Sequence, residues 1–119
     1  MYCVDPFDGF TEDFTGDHIY HAFMKNLFDR NLGDNVMTFR MKAEDWVSRP
    51  QVGFAYLDGD HTADGTRTQI RAARECGAKN IAIHDVNDSG GGLPIKEVAL
   101  EMLGPWENRV DRLATWRLR

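Results

Sequence analysis

Asp58-Gly59-Asp60-His61 and His84-Asp85 are the residues of this chain best suited to chemistry. Carboxylates and imidazoles are the side chains that hold divalent cations and move protons near neutral pH. Each cluster ends an apolar run: Val52-Gly53-Phe54-Ala55-Tyr56-Leu57 before the first, Asn80-Ile81-Ala82-Ile83 before the second. Such a run, broken abruptly by acids and histidines, reads as a buried strand leaving the core at a site. In open α/β sheets the ligand sits at the carboxyl ends of the strands. Two adjacent strands ending this way bring Asp58, Asp60, His61, His84 and Asp85 to one rim. Hard cations such as Mg²⁺ take a few carboxylate oxygens and keep several waters, which suits an open rim of this kind. His61 or Asp60 is the candidate general base for removing a hydroxyl proton from a substrate. A plainer reading stays open beside these roles. Asp58 and Asp60 could cap the helix that begins near Thr62, and His61 could be a hydrogen-bonded helix-start histidine.

The elements that must position this rim alternate along the chain. Tyr2–Val4 reads as a short strand stopped by Asp5-Pro6, and residues 7–15 as a loop with turn chemistry at Asp8-Gly9. Ile19, Phe23 and Leu27 recur every four residues, which predicts a helix over 17–31 with Asp17 at the N-cap position. Val36–Met41 alternates as a strand, and 43–47 allows one or two helical turns closed by Pro50. Strands at 52–57 and 79–83 flank a helix over 62–76 whose inner stripe is Thr66, Ile70 and Ala73. Gly90-Gly91-Gly92 reads as a flexible loop over the site in preference to an anion-binding nest at the next helix's N-terminus, and that helix opens at Leu93 or Pro94 and runs to Leu103. Val110–Leu118 reads as a closing strand, with Arg112, Arg117 and Arg119 as edge charges. His18 and His21 read as surface histidines. This order predicts one α/β domain over 1–119 with a doubly wound, mostly parallel sheet and helices on both faces.

Composition narrows the partners. A formal charge of -5 and a pI near 5.2 disfavour nucleic acid, which needs a basic face. No apolar stretch is long enough to span a membrane, and the first residues have no signal-peptide pattern. Cys3 and Cys76 lack metal-ligand spacing and read as buried thiols, so a cytoplasmic protein is expected. The expected partner is a small-molecule substrate.

The segments Leu57-Asp58-Gly59-Asp60-His61-Thr62 and Ala82-Ile83-His84-Asp85-Val86 resemble the second half of a class I S-adenosylmethionine-dependent methyltransferase. The nearest group is the small-molecule methyltransferases with an Asp-Gly-Asp-His-like motif after the fourth strand and His-Asp after the fifth. They are relatives of metal-dependent O-methyltransferases acting on sugars, catechols and macrolides. Tyr2-Cys3-Val4-Asp5-Pro6-Phe7 is similar to that family's second strand, and Phe39–Asp45 to its third strand and adenine-bordering loop. The resemblance implies a Rossmann-like fold, with Asp5 on the cofactor ribose and Ala43, Glu44 and Asp58 along the S-adenosylmethionine site. It also implies Asp58, His84 and Asp85 as ligands of a divalent metal, Mg²⁺ or Mn²⁺. His84 stands where many relatives carry another acid, a change that moves preference toward Mn²⁺ or Zn²⁺ or abolishes binding.

The family's first strand and glycine-rich turn have no counterpart here, and no G-x-G-x-x-G occurs in the chain. The expected sheet is therefore truncated at its N-terminus. Glycine allows the close backbone approach that the cofactor's methionine end needs. Weak or no S-adenosylmethionine affinity follows, together with a homo-oligomer, a dimer, that covers the exposed pairing edges. Three functions compete: methyl transfer to a small-molecule hydroxyl, metal-assisted hydrolysis at the same rim, and a non-catalytic methyltransferase-fold domain that oligomerises.

Overall fold

The structure is a computed structural model and describes residues 1–8, 16–47 and 50–118. The loop expected over 7–15 falls mostly outside them, as does Arg119. The chain divides into two compact units, Met1–Val47 and Ser48–Arg119.

In the first unit β1 (Tyr2–Val4) pairs in parallel with β2 (Met37–Phe39), Cys3 opposite Thr38. The ladder continues past Val4, where the Asp5 amide donates to the Phe39 carbonyl at 3.1 Å. Between the strands runs α1 (Gly16–Asp29), whose Leu27 is buried and whose Tyr20 and Phe23 rings pack on buried Phe7. Asp17 falls inside the first turn of α1 rather than at its cap, and its carboxylate pairs with Arg40 at 2.6 Å. A carboxylate there still favours the helix dipole. His18 and His21 are exposed, as expected. Residues Ala43–Asp45 form a single 3₁₀ turn.

In the second unit β3 (Phe54–Leu57) pairs in parallel with β4 (Asn80–Ile83), joined by α2 (Ala63–Glu75). α3 (Leu93–Leu103) opens on a proline in its first turn, and Gly104 ends it at φ +77°. The expected closing strand is instead a hairpin, β5 (Asn108–Val110) and β6 (Leu113–Arg117). β6 runs antiparallel to both β4 and β5, so the sheet order is β3-β4-β6-β5. Asp111 supplies the positive φ (+52°) that the two-residue turn needs, and aspartate tolerates that region better than most residues. With β6 between two neighbours, Arg117 lies on an inner strand, which corrects its reading as an edge charge.

The observed architecture is therefore α/β with two sheets, one parallel pair and one mixed. The expected inner stripe of α2 holds, since Thr66, Ile70 and Ala73 are all buried. They join Ile95, Val98 and Ala99 of α3 over Ile81, Ile83, Ala114 and Trp116 of the sheet. Those sheet residues share one face by the period of two, so α2 and α3 both lie on that face. The all-apolar run of β4 is buried from Ile81 to Ile83, whereas Phe54 and Tyr56 of β3 are exposed.

Asp88, in the loop after β4, is clamped by Lys96 of α3 at 2.6 Å and by Arg109 of β5 at 3.2 Å. Hydrogen bonds from Lys96 and then Arg109 hold its carboxyl at about 2, below the usual 3.8. Because the folded value is depressed, the clamp's contribution is complete above the usual value and fades as pH falls through about 2. Carboxyl carbon shifts followed by NMR from pH 5 downward should place the Asp88 midpoint well below 3.8; a midpoint near 3.8 would contradict the clamp.

Candidate functional site

The site is built where β3 and β4 end side by side. Parallel pairing sets Leu57 opposite Ile83, so Asp58 and His84 leave the sheet together. The His84 amide still donates to the Leu57 carbonyl at 3.0 Å, extending the ladder by one residue. Asp85 then adopts φ +55°, and the next amide, Val86, donates instead to the carbonyl of Arg112 in the hairpin turn at 2.8 Å. The left-handed residue is thus where the chain changes partner from β3 to the β5–β6 turn. Aspartate is one of the few side chains that tolerate this region.

Four of the expected residues converge. His84 Nδ1 lies 3.3 Å from Asp58 Oδ1 and 3.4 Å from Asp85 Oδ2. His61 Nε2 lies 3.4 Å from the same Asp85 Oδ2. One donor atom each from Asp58, His61 and Asp85 fall within 4.8 Å of one another. His84 Nδ1 is itself buried and makes no hydrogen bond. Tyr56 borders the cluster, its ring centroid 6.5 Å from that of His84. Lost solvation, then the charges of Asp58 and Asp85, raise its phenol above the ordinary tyrosine range. The Tyr56 hydroxyl is therefore a neutral donor at this rim.

Asp60 takes the helix-start role. Its Oδ1 accepts from the Thr62 amide at 2.8 Å, and Thr62 caps α2 by accepting from the Gly65 amide at 3.0 Å. Gly65 makes room for it, since a Cβ there would run into the Asp60 carboxyl group. Asp60 still lines the small cleft formed with Asp58, His61 and His84.

The residues assigned to the cofactor's adenosine end lie in the first unit. Asp5 is exposed and its Oδ1 accepts from the Phe7 amide at 2.6 Å, shaping the turn after β1. Ala43 and Glu44 sit in the 3₁₀ turn after β2, Glu44 exposed.

Two contributors gave no signal in the sequence. Gln69, on α2, accepts from the Gly59 amide at 3.1 Å and donates to the Asp60 carbonyl at 3.1 Å. One side-chain amide thereby fixes the backbone between Asp58 and His61, although a polar helix residue reads as a solvated face. Arg112 sits with Nη1 3.6 Å from Asp85 Oδ1 and so divides that carboxylate, leaving Oδ2 to the imidazoles. Its expected place on an edge strand is corrected by the turn it occupies.

Gly92 closes the floor. The triglycine forms a 3₁₀ turn leading into α3, and Gly92 is buried within it. A Cβ on Gly92 would strike the carbonyl oxygen of Asp85 and lie 2.6 Å from Asn87 Cβ. Gly92→Ala should therefore cost about 1–3 kcal/mol, as overpacking does, and displace Asp85. Chemical denaturation measures the first effect, and perturbed His61 and His84 NMR resonances the second. Unchanged stability and resonances would show that the floor yields.

No protein-family model matches the chain, and no curated protein matches it in sequence.

Proposed function

We propose that the chain is a Rossmann-like, S-adenosylmethionine-dependent methyltransferase acting on a hydroxyl of a small molecule, with a divalent cation assisting. The observation that carries this reading is the convergence of Asp58, His61, His84 and Asp85 at the ends of two parallel strands. Ligands of open α/β sheets bind at that position. The donor set fits a cation: Asp58, His84 and Asp85 offer two carboxylates and an imidazole. His84 Nδ1 is buried without a hydrogen bond beside the Asp58 and Asp85 carboxylates, a place that its own proton or a bound cation would fill. When bound there, a divalent cation supplies Lewis-acid polarisation and a fixed position for the acceptor oxygen.

The chain's own residues do the rest. His61 Nε2 takes the acceptor hydroxyl's proton, and the imidazolium is stabilised by Asp85 Oδ2 3.4 Å away. The freed oxygen attacks the methyl carbon in line; the C–O bond forms as the S–C bond breaks. The sulfur keeps that electron pair, and S-adenosylhomocysteine leaves neutral at sulfur. Tyr56 offers a neutral hydroxyl for orienting the acceptor, and Gln69 keeps the Gly59–Asp60 backbone from drifting. Asp5 is assigned to the ribose, with Ala43 and Glu44 along the adenine. Between the two base candidates His61 is preferred, because Asp60 is engaged at the helix start.

The test is transfer of labelled methyl from S-adenosylmethionine to a panel of catechol, sugar and macrolide hydroxyls. With no glycine-rich turn in the chain, the cofactor is supplied at millimolar concentration. Label in an acceptor, lost with His61→Ala, supports the proposal. No label in any acceptor, with no cofactor binding by calorimetry, removes it.

A further inference from the structure

We infer that the second unit carries a separate binding site for a small amphipathic carboxylate, in the cleft between the C-terminal ends of α2 and α3. The inference stands apart from the reading of the rim. β6 runs antiparallel to β4, which sets Arg117 opposite Asn80 at the start of β4. The cleft beside Arg117 is therefore at the other end of the sheet from Asp58 and Asp85.

The cleft is opened by the way the two helices stop. Gly77 takes φ +71° just past α2, and Gly104 takes φ +77° just past α3. Each turns the chain off its helix through a backbone that glycine adopts freely and other residues rarely do. Ala78, the next residue after Gly77, is buried and brings only a methyl group. A cavity of about 790 Å³ remains, with Ala78, Leu103, Trp116 and Leu118 as its apolar wall. That volume falls in the roughly 300–1,000 Å³ range of small-molecule sites, which are mostly apolar with a few placed polar groups.

Charge at the mouth selects the ligand. Exposed Arg74, Glu107 and Arg117 line it. Arg74 Nη2 donates to the Met102 carbonyl at 2.7 Å, one of the five N–H donors that a guanidinium carries. Arg117 Nε is 3.9 Å from Glu107 Oε1, too far for a hydrogen bond, so this pair leaves its donors available. The Gly104 carbonyl already accepts from the Trp116 indole at 2.9 Å, as Met102 does from Arg74. The end of α3 thus presents two fewer open acceptors to repel an anion. Two guanidiniums against one carboxylate give the mouth a net positive charge. A guanidinium matches a carboxylate as a two-pronged fork, while the apolar wall takes the rest of the molecule.

The experiment titrates the full chain with 4-phenylbutanoate, followed by calorimetry and by amide and indole NMR. 4-Phenylbutanamide has the same shape without the charge, and butanoate has the charge without the ring. The acid should bind with Kd of about 1 mM or tighter, and about tenfold or more tighter than either comparison compound. Arg74→Gln/Arg117→Gln should weaken the acid about tenfold or more and leave the amide unchanged within about threefold. In the parent, which needs no substitution, resonance shifts should centre on Ala78, Leu103 and the Trp116 indole. No binding of the acid at about 10 mM overturns the inference, as does equal binding of the acid and either comparison compound. Shifts centred elsewhere, or an acid that binds the double variant as tightly as the parent, overturn it equally.

Discussion

Asp58→Ala should lower methyl transfer by about 10²–10⁴-fold, the range expected when a group that positions and activates the acceptor is lost. Asp58 is exposed and its carboxylate faces His84 Nδ1, so no backbone group among the described residues leans on it. The fold should therefore stay intact, with the thermal midpoint moving by no more than a few degrees. Asp58→Asn is the companion variant, since it keeps the shape and removes the charge. Transfer and thermal unfolding measured on the same preparations decide the matter. Full activity in both variants would remove Asp58 from the site. A collapse of the midpoint would assign it the capping role that its place after β3 also suits.

Trp116→Ala should destabilise the second unit by about 3–5 kcal/mol, as deletion of a buried aromatic does. Trp116 is only 3% exposed and packs on Ile81, Val98 and the rest of the core beneath β6. Its indole also donates to the Gly104 carbonyl at 2.9 Å, and Trp106 meets it edge to face at 6.4 Å. The variant thus leaves both a cavity and an unpaired carbonyl at the end of α3. Against a domain stability of roughly 5–15 kcal/mol this loss is severe. Urea unfolding followed by circular dichroism should show the transition at much lower denaturant. A midpoint within experimental error of the parent would mean that the core is not built around this ring.

What the sequence made legible is what short-range chemistry fixes. The inner stripe of α2 follows from helical spacing, and Thr66, Ile70 and Ala73 point inward together. The ends of β3 and β4 are marked by an abrupt change from apolar to ionisable residues, which water enforces locally. The hairpin was hidden because Asp111-Arg112 lacks the glycine that usually signals a tight turn, so 110–118 reads as one strand. Its two-residue turn forces antiparallel pairing, which parallel-sheet logic does not anticipate. Arg112 and Gln69 were hidden for another reason: each reaches the site across a turn, and no periodicity records such a reach. Asp60 shows the opposite case, where helix-start chemistry was legible and competes with a catalytic role for one side chain.

The most direct test of the account is an anomalous difference map, collected at the zinc absorption edge, from crystals of the full chain grown with zinc. The account predicts one dominant peak among Asp58, His84 and Asp85, at bonding distance from His84 Nδ1. A map with no peak among these three residues, or with its dominant peak elsewhere, would contradict it.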